Sequence, residues 1–263
     1  VGAGHGAAEM AASLRKEGWE DEIVIVGEES YPPYQRPPLS KAYLSGDVTA
    51  DKLHIRPEVY YEKQNVSLIL GVRVTHVDRD AKKVTLDNGE SLEYTYLCLA
   101  TGTRARRLDM LDGADLDGIF YLRTIADIDS IAAALPSVKR AVIVGGGYIG
   151  LETAASLRKK GIEVTVIEAV DRILQRVTAP VMSEFFARVH REEGVTVLEG
   201  TGLDSFLGAD GHVTGIKTSK GDEIEADIVI VGVGIVVNDE LASGCGLEVD
   251  NGSTAAGVQL LDG

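Results

Sequence analysis

A chain of 263 residues is long enough for about two domains. It is 44% hydrophobic and 25% charged, with 30 Gly and 7 Pro, which fits a globular protein and argues against disorder. The formal net charge of −15 opposes a phosphate backbone or an anionic membrane, so no nucleic-acid partner and no membrane partner is expected.

Two cysteines, Cys98 and Cys245, form no CxxC, which argues against a disulfide framework, a zinc ribbon or a dithiol redox centre. The five histidines form no HxH, HxxxH or HExxH group, so no metal site is expected. His5 and His190 are read as packing or surface residues. No targeting segment opens the chain, and no apolar run approaches the ~20 residues of a membrane span. A cytoplasmic setting is the expectation.

In chain order, Val1 stands before Gly2-x-Gly4-x-x-Ala7, a form of the dinucleotide fingerprint. A helical stretch follows and ends at Gly18, then a strand from Ile23 to Val26 and an acid, Glu28. Next comes Tyr34-Gln35-Arg36-Pro37-Pro38-Leu39-Ser40-Lys41-Ala42-Tyr43-Leu44, which composition reads as a proline-stiffened turn into a helix capped by Ser40. Val66 to Leu70 begins a group of short strands. Val84 to Asp87 and Leu92 to Leu99 read as a hairpin about Asp87-Asn88-Gly89, with a type I′ turn.

The second half repeats the first. Gly2-Ala3-Gly4, Glu9 and Ala11-Ala12-Ser13-Leu14-Arg15-Lys16 recur 143 positions later as Gly145-Gly146-Gly147, Glu152 and Ala154-Ala155-Ser156-Leu157-Arg158-Lys159. The strand Ala141 to Val144 leads into Gly145-x-Gly147-x-x-Gly150, which opens a helix from Tyr148 to Lys160. The strand Val164 to Ile167 then ends at Glu168. Val195 to Leu198, Val213 to Thr218 and Ile224 to Val231 continue, with turns at Asp210-Gly211 and Lys220-Gly221. Ile228 to Val237 reads as a buried strand with its exit turn.

Each half is thus a βαβ unit followed by a β-meander. The fold class is α/β, two Rossmann-like domains from one duplicated dinucleotide-binding unit. Glycines at this spacing permit a tight strand-to-helix turn, and the helix N-terminus presents free N–H groups to a pyrophosphate. Glu28 and Glu168 sit where a carboxylate accepts hydrogen bonds from ribose hydroxyls. At Glu168 that favours NADH over NADPH, whose 2′-phosphate meets like charge. Arg172 nearby keeps NADPH open as a lesser alternative.

With both loops in place, the Tyr34 to Leu44 string resembles the two-dinucleotide-binding-domain flavoprotein family. Within it, the likeness is to the ferredoxin reductases that serve cytochrome P450 and Rieske oxygenases. Leu99-Ala100-Thr101-Gly102, Tyr121-Leu122-Arg123-Thr124, Gly145 to Glu152, Arg176 to Pro180 and His190 to Val195 also match, in the family's order and spacing. The resemblance implies an NADH-dependent reductase with FAD in a first domain (1–110, returning at 232–263) and NADH in a second (111–231). It implies a small iron–sulfur ferredoxin as partner.

Carried over by position, it implies that Gly2, Gly4, Gly6 and Ala7 cradle the FAD pyrophosphate and that Glu28 holds the adenosine ribose. Val74 would lie against the adenine, Thr101 and Gly102 at a strand return. Arg36, Lys41 and Arg123 would also reach the flavin. Gly145, Gly147, Gly150 and Glu168 would hold NADH, and Glu152 would pair with Lys41 at the flavin–nicotinamide junction. Tyr148 is similar to an aromatic that covers the flavin until nicotinamide displaces it, and equally fits a packed aromatic at a helix start. The absence of a CxxC separates the chain from thioredoxin and glutathione reductase relatives.

At the ends the pattern departs from the family. Only Val1 represents the first strand, and after Asn251-Gly252 the string Ala255-Ala256-Gly257 places Val258 where a second FAD motif has Asp. The expectation is therefore a fragment or truncated product, with a second reading as an NAD(H)-binding module without turnover.

Overall fold

The computed structural model describes residues 1–250 and the backbone of Gln259–Leu261. The expected Asp-motif segment at Ala255 to Val258 lies outside the described residues. Among the described residues six α-helices follow in chain order: α1 (His5–Lys16), α2 (Glu58–Lys63), α3 (Ile125–Ala134), α4 (Tyr148–Lys159), α5 (Pro180–Glu192) and α6 (Glu240–Gly244). The chain divides into two units. The first takes Val1–Gln35, Asp51–Arg104 and the chain from Val236 onward; the second takes Arg36–Ala50 and Ala105–Ile235.

The second unit is built on a five-stranded parallel sheet. Its order is Thr196–Leu198, Glu163–Ile167, Arg140–Val144, Ile228–Val231 and Ile119–Tyr121. The near-unbroken apolar runs Ala141-Val142-Ile143-Val144 and Ile228-Val229-Ile230-Val231 are buried, as a parallel sheet covered on both faces requires. Helix α4 buries Gly150, Leu151, Ala154 and Leu157, the repeat of one helical face. An antiparallel meander, Leu203–Ala209, His212–Thr218 and Glu223–Glu225, adds Phe206, Val213 and Ile216 to the core. The strand Leu203–Ala209 was not among the expected elements. Its turn was, and Asp210 (φ 51°) with Gly211 (φ 83°) has both central residues left-handed, as a type I′ hairpin needs.

In the first unit, Ile23–Gly27 pairs in parallel with Val66–Leu70. Val1 supplies the neighbouring strand position: its nitrogen donates to Cys98 O at 2.7 Å, and Ala100 N donates to Val1 O at 2.7 Å. The meander is Val74–Asp78, Lys83–Leu86 and Ser91–Glu93. Here the expected hairpin changes. Leu97–Leu99 is a separate strand, and of the turn residues only Gly89 has positive φ (87°). Gly89 N donates to Leu86 O, so Asp87-Asn88 form a type I turn closed by a left-handed glycine, not type I′.

By its contacts the segment Arg36–Ala50 groups with the second unit, whereas the expected division puts it with the first. Its bonds explain why. Ser156 Oγ on α4 donates to Ser40 O at 2.8 Å, Tyr43 Oη donates to Asp129 on α3 at 2.7 Å, and Lys160 Nζ donates to Ser45 O. Ser40 is not an N-cap either. It lies inside a single π-turn, Leu39–Tyr43, where Lys41 leaves helical angles.

Candidate functional site: two glycine turns and a lysine–glutamate pair

In the second unit the strand Arg140–Val144 ends where the strand order reverses, beside Ile228–Val231, the usual place for a ligand crevice in an open α/β sheet. The turn there has no room for side chains. A Cβ on Gly145 (φ 110°) would meet Gly232 O at 2.4 Å, and one on Gly150 would meet Gly145 O at 2.1 Å. A Cβ on Gly147 would meet nothing within 4 Å. Gly147 is the N-cap of α4 and makes no side-chain cap, so no capping side chain satisfies the first-turn N–H groups. That open cradle at an uncapped helix N-terminus fits an anionic pyrophosphate.

The first unit repeats the arrangement. Gly2 (φ 103°) would place a Cβ 2.1 Å from Ala100 O, Gly4 would meet nothing within 4 Å, and Gly4 is the uncapped N-cap of α1. Gly2 N donates to Val26 O at 2.8 Å, as Gly145 N does to Ile167 O; Ala100 N donates to Val1 O, as Gly232 N does to Val144 O. Gly6 is exposed in the first turn of α1, and Ala7 packs into the core with Ala11 and Ile25.

The two acids differ. Glu168 accepts from Gly146 N (2.8 Å) with one oxygen and from Val170 N (3.1 Å) with the other. Glu28 lies one residue further past its strand-end bond and pairs with Arg73 at 2.6 Å, both side chains exposed.

Other expected residues fall as follows. Thr101 and Gly102 are tied to Asn238, a partner the sequence did not reveal. The Thr101 hydroxyl donates to Asn238 O, Asn238 Nδ2 to Thr101 O at 2.9 Å, and Asn238 N to Gly102 O at 3.0 Å. Val74 is 4% exposed and packs with Val26, Val84 and Leu86, so its side chain belongs to the core. Arg36 Nη1 donates to the carbonyl of Arg123 at 2.7 Å, which brings two expected residues together within the second unit. Arg123 N in turn donates to Asp127 Oδ2 at 2.9 Å, beside the Thr124–Asp127 capping box that starts α3.

Lys41 and Glu152 also meet within the second unit. Lys41 Nζ is 2.9 Å from Glu152 Oε1, and Ser40 Oγ donates to Glu152 Oε2 at 2.6 Å. Lys41 is 50% exposed and Glu152 28% exposed, so the pair is open to solvent on one side rather than buried. The bonds of Ser40 and Ser156 were not anticipated; hydroxyl spacing against a turn of irregular backbone leaves no sequence periodicity to read. Tyr148 is 47% exposed and meets Phe186 edge-on at 6.3 Å.

Among the described residues no group of three His, Cys, Asp or Glu could hold a metal ion, and no helix is long and apolar enough to cross a membrane.

Comparison with known proteins gives a consistent result. Rhodocoxin reductase of Rhodococcus erythropolis is 45% identical over 252 residues, covering 96% of this chain and 59% of that protein. Putidaredoxin reductase of Pseudomonas putida is 43% identical over 256 residues, with 96% and 61% covered. The chain therefore spans about three fifths of the length of these curated relatives. Among solved structures, the covalent putidaredoxin reductase–putidaredoxin complex matches with a TM-score of 0.90 at 42% identity, over 95% of this chain and 61% of that one. The family model for pyridine nucleotide-disulphide oxidoreductases matches residues 1–256, and the chain belongs to that family.

Proposed function

We propose that this chain is the dinucleotide-handling part of a cytoplasmic FAD-dependent reductase that takes hydride from NADH and passes single electrons to a small iron–sulfur ferredoxin. The observation that carries this reading is the pair of glycine turns with one hydrogen-bond scheme, each ending in an uncapped helix N-terminus. Two such turns suit two dinucleotides. The relatives named reductases of rhodocoxin and putidaredoxin support the electron acceptor's class.

In this reading the Gly2–Ala7 turn holds FAD and the Gly145–Gly150 turn holds NADH. The N–H groups of each first turn bind the pyrophosphate, and Glu168 receives the ribose hydroxyls of NADH. FAD, when bound, splits the two electrons of one hydride into two single-electron deliveries. The protein supplies position and charge. Glu152, fixed by Ser40, holds the Lys41 ammonium at one point, and a positive charge so held stabilises electron density that develops near it. Arg36 and Arg123 are proposed as flavin-binding residues, and Tyr148, exposed at the start of α4, as the aromatic that nicotinamide displaces.

The test is spectroscopic. Protein purified with added FAD should show a visible flavin band that NADH bleaches under anaerobic conditions and that a ferredoxin restores. Protein that binds NADH but never takes up flavin would instead be a nucleotide-binding module.

A further inference from the structure

We propose that Arg172 is a positioning residue that sets the shape of the Gly145–Gly150 turn, acting on the part of the site common to NADH and NADPH rather than as a receptor for a 2′-phosphate. This rests on the dinucleotide-binding reading of that turn. The guanidinium spends three N–H donors on its own loop and on the start of α5. Nη1 donates to Thr178 O at 3.0 Å and to Ser183 Oγ at 2.6 Å, and Nη2 donates to Gln175 O at 3.1 Å. Ser183 is 1% exposed and passes the bond on, its hydroxyl donating to Ile173 O at 2.6 Å. Ile173 is held from its other side as well. Its N–H donates to Glu199 Oε1 at 3.0 Å, and the second oxygen of Glu199 pairs with Arg191 at 3.0 Å.

That closed loop lies against the middle glycine of the turn. Ile173 is fully buried, and a Cβ on Gly146 would meet its Cγ2 at 2.6 Å. Leu174 adopts φ 56°, an unfavourable angle for a residue with a Cβ, and its N–H donates to Gly146 O at 2.9 Å. Gly146 N donates to Glu168. The residue is thus held at both ends, by Glu168 on its N–H and by Leu174 on its carbonyl, and Arg172 keeps Leu174 in place. Turning the guanidinium outward would release the Thr178 and Gln175 carbonyls and one bond to the Ser183 hydroxyl, loosening the segment that carries Ile173 and Leu174.

The experiment titrates the full chain with NADH and, separately, with NADPH, for wild type, Arg172→Gln, Arg172→Lys and Ser183→Ala. Kd is measured on protein whose folding is checked by its melting curve. Arg172→Gln is expected to weaken both nucleotides by about tenfold, with their ratio unchanged. Arg172→Lys should recover part of that loss, and Ser183→Ala should weaken both by a smaller common factor. A selective loss of NADPH binding in Arg172→Gln overturns the proposal in favour of a phosphate receptor. Unchanged affinities in folded Arg172→Gln overturn it too; if that variant does not fold, unchanged affinities in Ser183→Ala do the same. A wild-type chain that binds neither nucleotide overturns the dinucleotide reading and the proposal with it.

Discussion

The turn after Val1 and the turn after Val144 rest on the same two main-chain bonds, yet their acids are held differently. Glu168 accepts from Gly146 of the glycine turn and from Val170 just past its own strand, so the acid ties the turn to the strand end. Glu28 reaches away to Arg73 in an ion pair whose side chains are 63% and 61% exposed. An exposed pair of this kind contributes ~0–1 kcal/mol and holds neither partner firmly. One sequence pattern has therefore produced a turn preset by its own carboxylate and a turn whose carboxylate can change partner without disturbing the backbone. A preset turn loses less freedom when a ligand arrives.

The largest expected effects separate folding from binding within one turn. Gly150→Ala must push a methyl against the carbonyl of Gly145, a main-chain atom that cannot rotate away. Overpacking of this kind costs about 1–3 kcal/mol, occasionally more, and a thermal melt should show it. Gly147→Ala meets nothing in the protein, so its melting temperature should match wild type. Its methyl points into the space assigned to a pyrophosphate, and NADH affinity should fall about tenfold or more. Equal stability losses in both variants would contradict the open cradle.

The acids sharpen the contrast. Glu168→Arg removes both backbone contacts and reverses the charge at the proposed ribose position. NADH binding should weaken by at least about tenfold, with NADPH relatively favoured. Glu28→Gln gives up only an exposed ion pair, so stability should change by less than about 1 kcal/mol. A titration in which Glu168→Arg treats both nucleotides as wild type does would remove Glu168 from the site.

A third difference lies in the cores. Tyr61 on α2 packs against Ala7, Ala11 and Ile25 of the first unit, and its hydroxyl is buried without a hydrogen-bond partner. Burial pushes its pKa up to about 12. Because the unfolded state ionises first, folding stability falls as pH rises from about 10 through about 12, and below pH 10 no such loss occurs. Tyr61→Phe should therefore stabilise the chain at neutral pH by ~1 kcal/mol and flatten that alkaline loss, as denaturant melts at pH 7 and 11 would show.

Much of this architecture was legible because it is carried by spacing. The glycine turns, the strand-end acids and the apolar runs of the parallel sheet follow from local geometry, and the matched Ala-Ala-Ser-Leu-Arg-Lys strings revealed the duplication. What stayed hidden depends on partners far along the chain. Asn238 reaches Thr101 across 137 positions, Ser40 reaches Glu152 across 112, and no local pattern encodes either. The transfer of Arg36–Ala50 to the second unit has the same origin, since single hydroxyls and a buried Leu39 and Leu44 decide it. The bonds of Arg172 were hidden for the same reason, since its three acceptors are main-chain and hydroxyl groups, which the sequence does not place.

The smallest expected effect concerns the thiols, which both belong to the first unit. Cys98 lies in the strand Leu97–Leu99 and Cys245 at the C-cap of α6, and both are free. Burial pushes the Cys98 thiol above its ordinary pKa, so at neutral pH it is the protonated, unreactive form. A thiol held that way serves packing. Cys98→Ala and Cys245→Ala should each keep any NADH-dependent dye reduction that the parent shows, with at most about 1 kcal/mol lost to packing. If a folded variant lost flavin reduction, the electron path would run through sulfur in the first unit. The contrast between the two glycine turns would then no longer describe where the chemistry is done.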